Sequence, residues 1–287
     1  MQPTLIILGI FVAFAVAEAL HATLLHINHE RKEDKYVEVL GSIFLLGLTQ
    51  PLVLFSSMAL AGFVAPNAAG MLAGAPLYVG VLLFIIFDDM AQYWWHRASH
   101  TFPFLYGLHR AHHNADYMSI RIVYRNNILY YAFMPSLWLV GILVYLGLGE
   151  IYAGYIIVKM AVIFGAHSNV RWDQKLYEIK WLSPVMWLVE RTISTPATHA
   201  AHHGKHKADP ATNYTGNFGN LFFFWDVLFG TAKITRSYPQ RIGVENLAPM
   251  SAGAQLLWPL LRDKTSPTEE SPAELRNNFS AAGISPQ

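Results

Sequence analysis

Thirteen histidines stand among the 287 residues, and eight of them fall into three spaced boxes. His96-Arg97-Ala98-Ser99-His100 has i, i+4 spacing. His109-Arg110-Ala111-His112-His113 has i, i+3, i+4 spacing, and His199-Ala200-Ala201-His202-His203 repeats it. On a helix these offsets place each box on one face, with neighbouring Cβ atoms about 5–6 Å apart. That gap suits two nitrogens binding one metal ion, or two ions side by side. At this histidine content roughly 0.03 copies of a given HxxHH pattern arise by chance, so the repeated box is a strong signal. A single histidine beside an apolar helix is usually a hydrogen-bonded interface residue. Eight together need a shared reason: protonated they repel one another, whereas neutral imidazoles on a metal do not.

A zinc ion in an ordinary site takes four ligands, so eight or nine histidines suit two ions with four or five ligands each. All-nitrogen ligation fits Fe, Zn, Cu or Ni and disfavours Mg or Ca. The chain has no cysteine, which excludes disulfides, iron–sulfur clusters, thiolate haem, zinc ribbons and cysteine nucleophiles. Soluble di-iron bundles use glutamates and Glu-x-x-His pairs. Glu18-Ala19-Leu20-His21 is the single, unpaired match, so a different architecture is expected.

The elements that position these boxes are apolar. Hydrophobic residues make up 53% of the chain and charged residues 14%, against about 25% charge in soluble domains. From Val39 to Phe87 there is no Lys, Arg, Asp or Glu. The predicted fold is an all-α integral membrane protein with four to five transmembrane or re-entrant helices. A span needs about 20 mostly apolar residues, which places spans at Leu5–Leu25, Val39–Val64, Leu77–Trp95, Ile128–Leu148 and Ile151–Ala166. The first lacks a basic leader and a small-residue cleavage site, so it reads as a span rather than a signal peptide. The last two, separated by Gly149-Glu150, form a tight hairpin. Residues 1–75 read as an N-terminal transmembrane hairpin, 76–262 as the catalytic domain and 263–287 as a Ser/Pro/Glu-rich disordered tail. Leu176–Ile193 reads as an amphipathic interface helix broken at Pro184.

Charge placement orients the chain. The loop Pro66–Ala75 is uncharged, whereas Arg31, Lys32, Lys35, Arg97, Arg110, Arg121 and Arg125 flank the other ends of the spans. The positive-inside rule makes those ends, and the histidine boxes, cytoplasmic. A hairpin returns its end to the face where it began, so His167 reaches the layer of the boxes and becomes a ninth candidate ligand. A formal net charge of +1 leaves no global field for nucleic acid.

The motifs around the boxes resemble the fatty acid hydroxylase / sterol desaturase superfamily of membrane histidine-box oxygenases. The resemblance lies in Asp89-Met90-Ala91-Gln92-Tyr93-Trp94-Trp95-His96-Arg97, in Thr195-Pro196 before the third box, in His167-Ser168-Asn169, in Asn213-Tyr214, and in Trp225-Asp226-Val227-Leu228-Phe229-Gly230-Thr231. It covers about residues 80–235. Thr215-Gly216 departs from it, with the glycine displaced by one position after Asn-Tyr. The resemblance implies two Fe ions, for which Zn could substitute, and O2. It implies hydroxylation or desaturation at an unactivated C–H bond of a membrane lipid (a sterol, fatty acyl chain or ether lipid) in a bacterial inner membrane or the endoplasmic reticulum. With no haem motif, dinucleotide fingerprint or cysteine, electrons are expected from a separate donor protein. Oligomeric state is left open.

The candidate metal ligands are therefore His96, His100, His109, His112, His113, His167, His199, His202 and His203. Asp89, Tyr93, Asn169 and His206 are candidates for orienting them. Arg121 and Arg125 are candidate contacts for lipid headgroups. Trp94, Trp95, Trp181 and Trp187 fit an interfacial belt, as do His21, His26 and His29. Lys159 and Glu18 lie within apolar spans and need partners; an ion pair between them is one solution. Two other classes are consistent with the boxes: a di-zinc membrane hydrolase and a metal transporter. The first would benefit from an acidic base, which the boxes lack. The second favours ligands at the bilayer midplane, whereas these cluster at one face.

Overall fold

A computed structural model describes residues 2–21, 30–246 and 250–263. Among these residues there is no β-strand, only isolated bridges between Ile193 and Phe222 and between Gly204 and Ile242. Among the described residues, four helical stretches are long and apolar enough to cross a membrane: α1 (Pro3–Leu20), α2 (Lys32–Val64), α3 (Leu77–Ser99) and the bent stretch Pro135–His167. The protein is an all-α membrane protein, as the charge-free runs predict. The tail beyond residue 263, and His26 and His29, lie outside the described residues.

The bent stretch is two helices, α6 (Pro135–Leu143) and α7 (Gly149–His167), turning at Gly147. Gly147 has φ of 105°, a conformation that glycine adopts without steric cost. The turn therefore sits at Gly147 rather than at Gly149-Glu150. The adjacent Leu146 carbonyl accepts from Leu72 N at 2.7 Å, which ties the hairpin tip to the uncharged 65–76 loop. The predicted span Ile128–Leu148 also divides, into α5 (Ile128–Ala132) and α6. Pro135 disfavours helical backbone at the residue before it, and Met134 is extended.

The helices keep a fixed register. Gly80 packs on Ile151, Asp88 pairs with Lys159, and His96 and His167 share one cavity wall. So α3 and α7 run parallel, from the uncharged loop to the histidine layer. α2 packs on α6, and Ser57 Oγ donates to the Trp138 carbonyl. α1 packs on α7 through Phe11 against Phe164, with centroids 5.4 Å apart. Leu5, Leu8, Val12, Phe55, Phe63 and Leu82 are exposed on the surfaces that face lipid.

Besides the π segment at the hairpin turn, Val144–Leu148, two wide π-turns interrupt the spans at Leu45–Thr49 and Ile85–Met90. Such bulges re-aim side chains and concentrate at functional sites. The second carries Asp88 and Asp89. Lys159 Nζ lies 2.5 Å from Asp88 Oδ2, so its partner is Asp88, not Glu18. Glu18 instead accepts from Ser119 Oγ at 2.7 Å and from the backbone of Ile120 and Asn169 at 3.1 and 3.0 Å.

The histidine layer is built by α4 (Pro103–His113), α8 (Trp172–Glu178), α9 (Ser183–Thr192), α10 (Pro196–His202), α11 (Phe224–Phe229) and α12 (Ala252–Leu257). Pro184 starts α9 rather than breaking a longer helix, since proline fits the first helical turn. Trp181, Trp187 and Leu188 are exposed, consistent with an interfacial position.

Lys159→Met should lower unfolding stability by about 3 kcal/mol, because it strands a buried carboxylate. Adding Asp88→Leu should recover most of that loss. Thermal melts in detergent check this; equal losses in the single and double variants would refute the pairing.

Candidate metal centre

Four helices and their C-caps carry the nine histidines. His96 lies in the last turn of α3 and His100 caps it. His109, His112 and His113 lie in α4, and His167 ends α7. α10 carries His199 and His202, with His203 as its C-cap. A helix of seven residues does not hold itself together in water, and α10 is held by its caps. Thr195 N donates to Thr198 Oγ1 at 2.9 Å, and Thr195 Oγ1 accepts from Thr198 N at 3.4 Å. Asp173, itself buried, accepts from Ala197 N at 2.8 Å. Pro196 takes the first helical position, where no N–H is needed.

The nine imidazoles divide into two buried groups: His96, His100, His109, His113 and His202, and His112, His167, His199 and His203. Within each group one nitrogen per residue lies within 4.8 Å of all the others. The division cuts across the sequence boxes. His109 and His113 go together and His112 goes to the other group; His199 and His203 go together and His202 crosses over. Residues four apart on a helix point only about 40° apart, whereas adjacent ones differ by about 100°. Each HxxHH box therefore gives two rings to one group and one to its neighbour.

Five rings are fixed from behind. His96 Nδ1 donates to the Phe218 carbonyl at 2.7 Å, His202 Nδ1 to Gly216 O at 2.8 Å, and His167 Nδ1 to Ile163 O at 2.8 Å. His112 Nδ1 donates to Ile122 O at 3.1 Å, and His109 Nδ1 bonds Asn126 Oδ1 at 3.2 Å. A carbonyl only accepts, so the proton sits on Nδ1 and the Nε2 lone pair faces inward. There His113 Nε2 lies 3.1 Å from both His100 and His109 Nε2 and 3.2 Å from His202 Nε2. His199 and His167 Nε2 are 2.9 Å apart, and His167 and His112 Nε2 are 3.5 Å apart. One imidazole carries at most one proton at Nε2, so it cannot donate to three neighbours at once. Converging lone pairs of this kind fit a cation. Adjacent ligands on an ion with metal–nitrogen bonds of about 2.0–2.1 Å are themselves about 3.0–3.4 Å apart. The donor set can hold two transition-metal ions.

Burial, reinforced by neighbouring imidazoles, holds His100, His109, His113, His199, His202 and His203 well below the ordinary histidine range. Burial and the neighbouring His167 do the same to His112. These rings are neutral at pH 7 and ready to ligate.

The predicted orienting residues act one step further out. Asp89 accepts from Trp225 Nε1 at 2.8 Å and from the Phe222 and Leu221 amides at 3.2 and 3.3 Å. Tyr93 OH bonds Thr231 Oγ1 at 2.9 Å. Asp89 holds the 216–222 loop, whose carbonyls hold His96 and His202, directly; Tyr93 acts through Thr231, whose carbonyl accepts from Asn217 N at 3.1 Å. Asn169 lies beside His167 and ties its backbone to Glu18. His206 stands apart, half-exposed, 3.0 Å from Glu245. Arg125 is fully buried, 2.8 Å from Asp34 Oδ1 and 2.8 Å from the Ala111 carbonyl. Arg121 is engaged by Glu30 and Glu38. The two guanidiniums thus tie the N-terminal part of α2 to the segment after the second box. His21 bonds its own helix at the Ala17 carbonyl.

Asp226 is a residue whose role the sequence did not reveal. Its carboxylate accepts from Phe218 N at 2.8 Å, Gly219 N at 2.7 Å and Thr231 Oγ1 at 2.6 Å, and so shapes the loop behind His96. Asn126 was likewise missed. Gly216, the displaced glycine, presents the carbonyl that orients His202, and a Cβ there would collide with the Thr231 carbonyl.

The fatty acid hydroxylase family model matches residues 81–231, a span that contains all nine histidines. The chain belongs to the fatty acid hydroxylase family. Relatives include alkylglycerol monooxygenases of Danio rerio, 27% identical over 144 residues, and of Homo sapiens, 25% identical over 154 residues. Each alignment covers 50% of this chain and 28% of the relative. The Caenorhabditis elegans alkylglycerol monooxygenase is 26% identical over 152 residues, 53% of this chain and 26% of that protein. The stretch matched is thus just over a quarter of each relative. No solved structure matches the chain.

Below pH about 6.5 an unfolded chain protonates its histidines, while the buried rings of this hydroxylase-family fold stay neutral. The unfolded state then binds more protons, so stability falls as pH drops. The metal-free protein should melt at a lower temperature at pH 5.5 than at pH 7.5. An unchanged melting temperature would show that the imidazoles are not held neutral.

Proposed function

We propose that this protein oxidises an unactivated C–H bond of a membrane lipid, using O2, at a di-iron centre held by His96, His100, His109, His113 and His202 on one side and His112, His167, His199 and His203 on the other. The observation that carries the reading is the meeting of these two all-imidazole groups with a cavity of about 110 Å³ inside the helix bundle. His96, His109, His112 and His167 line it at one end, and Asp88 and Lys159 lie in its wall. The names of the relatives point to a glycerol ether as substrate, with sterols and fatty acyl chains as the other lipid classes.

Iron bound there would supply O2 activation and the abstraction of hydrogen from the substrate carbon. The rest falls to the chain. The five Nδ1 anchors keep the rings from turning. The bundle shields the reacting carbon from water and admits lipid. Hydroxylation turns R–H, O2, two electrons and two protons into R–OH and water. Electrons come from a separate donor protein at the cytoplasmic face, since the sequence carries no haem, flavin or iron–sulfur motif. A hydrolytic centre would benefit from a carboxylate base, and the two groups are histidine only. A transporter would hold its ion near mid-membrane, whereas these groups gather at the helix ends.

Full-length protein loaded with iron, given lipid, reductant and isotopically labelled O2, should yield a product heavier by one labelled oxygen. Omitting either O2 or reductant should abolish multiple turnover. Turnover without reductant would overturn the oxygenase reading.

The clustering of Arg31, Lys32, Lys35, Arg97 and Arg110 at the histidine end supports a cytoplasmic position for that layer. A cysteine at exposed Asn67 should react with an impermeant maleimide from outside, and one at exposed Lys207 should not. The reverse pattern would refute the orientation.

A further inference from the structure

The cavity beside the metal centre is more polar than the oxidation of a plain hydrocarbon chain requires. Asp88 and Lys159 place an ion pair in its wall, within two membrane-crossing stretches. Ionisable groups at such depth are costly and are ordinarily functional. Two further polar atoms in the wall have no partner: Gln92 Oε1 and Ser136 Oγ are buried with no hydrogen bond to any described residue. Ser136 is 1% exposed. An unsatisfied buried polar group costs free energy unless something bonds it, and an apolar side chain would line a methylene tunnel more cheaply.

These groups sit at defined distances from the histidines. Gln92 precedes His96 by one turn, and Asp88 precedes it by two, or about 6 and 12 Å along the helix. Lys159 precedes His167 by two turns on the parallel helix α7. Ser136, at the start of α6, lines the same cavity, and α6 packs on the Ile85–Ser99 part of α3 that carries Asp88 and Gln92. Apolar Leu137 and Ile156 line the rest of the wall. The cavity therefore has a polar patch within one short molecule's length of the reacting position.

We propose that Gln92 and Ser136, backed by the Asp88–Lys159 pair, form a subsite for the hydroxyl-bearing head of the lipid substrate. This rests on the oxygenase reading for the identity of the reaction and narrows its substrate class. The substrate is a lipid oxidised within about 12 Å of a free hydroxyl, not a hydrocarbon chain oxidised far from any polar group. Gln92 Oε1 accepts from a hydroxyl, and Ser136 Oγ bonds a second. Gln92 and Ser136 are positioning residues: they set which carbon faces the histidine layer.

The test uses the full chain in detergent, loaded with zinc so that no turnover is needed. Two probes are compared: 1-O-hexadecylglycerol, and hexadecyl propyl ether, which keeps the ether oxygen and the chain length and lacks both hydroxyls. Binding is read as ligand-induced thermal stabilisation against the mole fraction of probe in the micelle. The wild-type protein should prefer the glycerol ether by about tenfold, the worth of one or two hydrogen bonds. Gln92→Leu and Ser136→Ala should each lower that preference several-fold, and the double variant should abolish it. Equal affinity of the wild type for the two probes overturns the subsite, and this comparison requires no variant to fold. A preference retained in the double variant overturns it as well. With iron, the same variants should spread oxidation over more carbons. If iron-loaded protein oxidises neither probe while the binding preference holds, the subsite stands and the oxygenase reading fails.

Discussion

The structure depends on the convergence of nine imidazole lone pairs in a space that excludes water. Buried neutral histidines normally satisfy both nitrogens. Here one nitrogen of each of five rings is bonded outward, to Phe218, Gly216, Ile163, Ile122 and Asn126, which leaves the other with nothing but its neighbours. His113, close to three other Nε2 atoms, shows the conflict at its sharpest. In a low-dielectric interior such an arrangement is stabilised by a cation and by little else. The surrounding scaffold can be understood as what forces the rings together: a capped short helix, a carboxylate-shaped loop and four membrane-crossing stretches held in register.

The loop of residues 216–222 shows how far from the rings that forcing begins. Asp226 fixes the Phe218 and Gly219 amides, and Asp89 fixes Leu221, Phe222 and the Trp225 indole. Asp89 lies on a π-turn of α3, and His96 lies farther along the same helix. One helix therefore carries both a histidine of the layer and the carboxylate that braces that histidine's backing loop. Removing either carboxylate would loosen His96 and His202 together, since the same loop backs both. Precise ligand placement depends on supports of this kind as much as on the ligands.

What was legible in the sequence follows from which forces are local. Charge-free runs and i, i+3, i+4 histidines are written directly into neighbouring residues, so the membrane helices and the nine-ring layer could be read in advance. His167 could be placed because a hairpin must return its end to the starting face, an inference that survives the shift of the turn from Gly149 to Gly147. The partition into five and four could not be read box by box, because it depends on how α4 and α10 rotate about one another. The partner of Lys159 could not be chosen for a similar reason. Glu18 and Asp88 are equally plausible in sequence, and only the parallel register of α3 and α7 selects Asp88. Arg121 and Arg125 looked like headgroup contacts because cations near a span end usually are. Three acidic residues, Glu30, Asp34 and Glu38, instead meet them across a long sequence separation.

The π-turns connect this histidine layer to the membrane. A regular α-helix from Leu77 to Ser99 would carry its side chains round by about 100° per residue without interruption. The extra residue in the Ile85–Met90 turn breaks that phase between the lipid-facing start of α3 and its histidine end. Asp88 can then face Lys159 while Asp89 faces the 221–222 loop, although the two are adjacent in sequence. The bulge at Leu45–Thr49 lies beside the same cavity, with Leu45 and Gln50 in its wall. Both bulges thus fall where a lipid-facing helix must also line a polar chamber. A uniform helix presents one continuous stripe of residues to one environment. Serving lipid, a buried ion pair and a histidine layer along a single span requires the stripe to be interrupted, and the wide turns interrupt it without giving up the backbone hydrogen bonds that the bilayer demands.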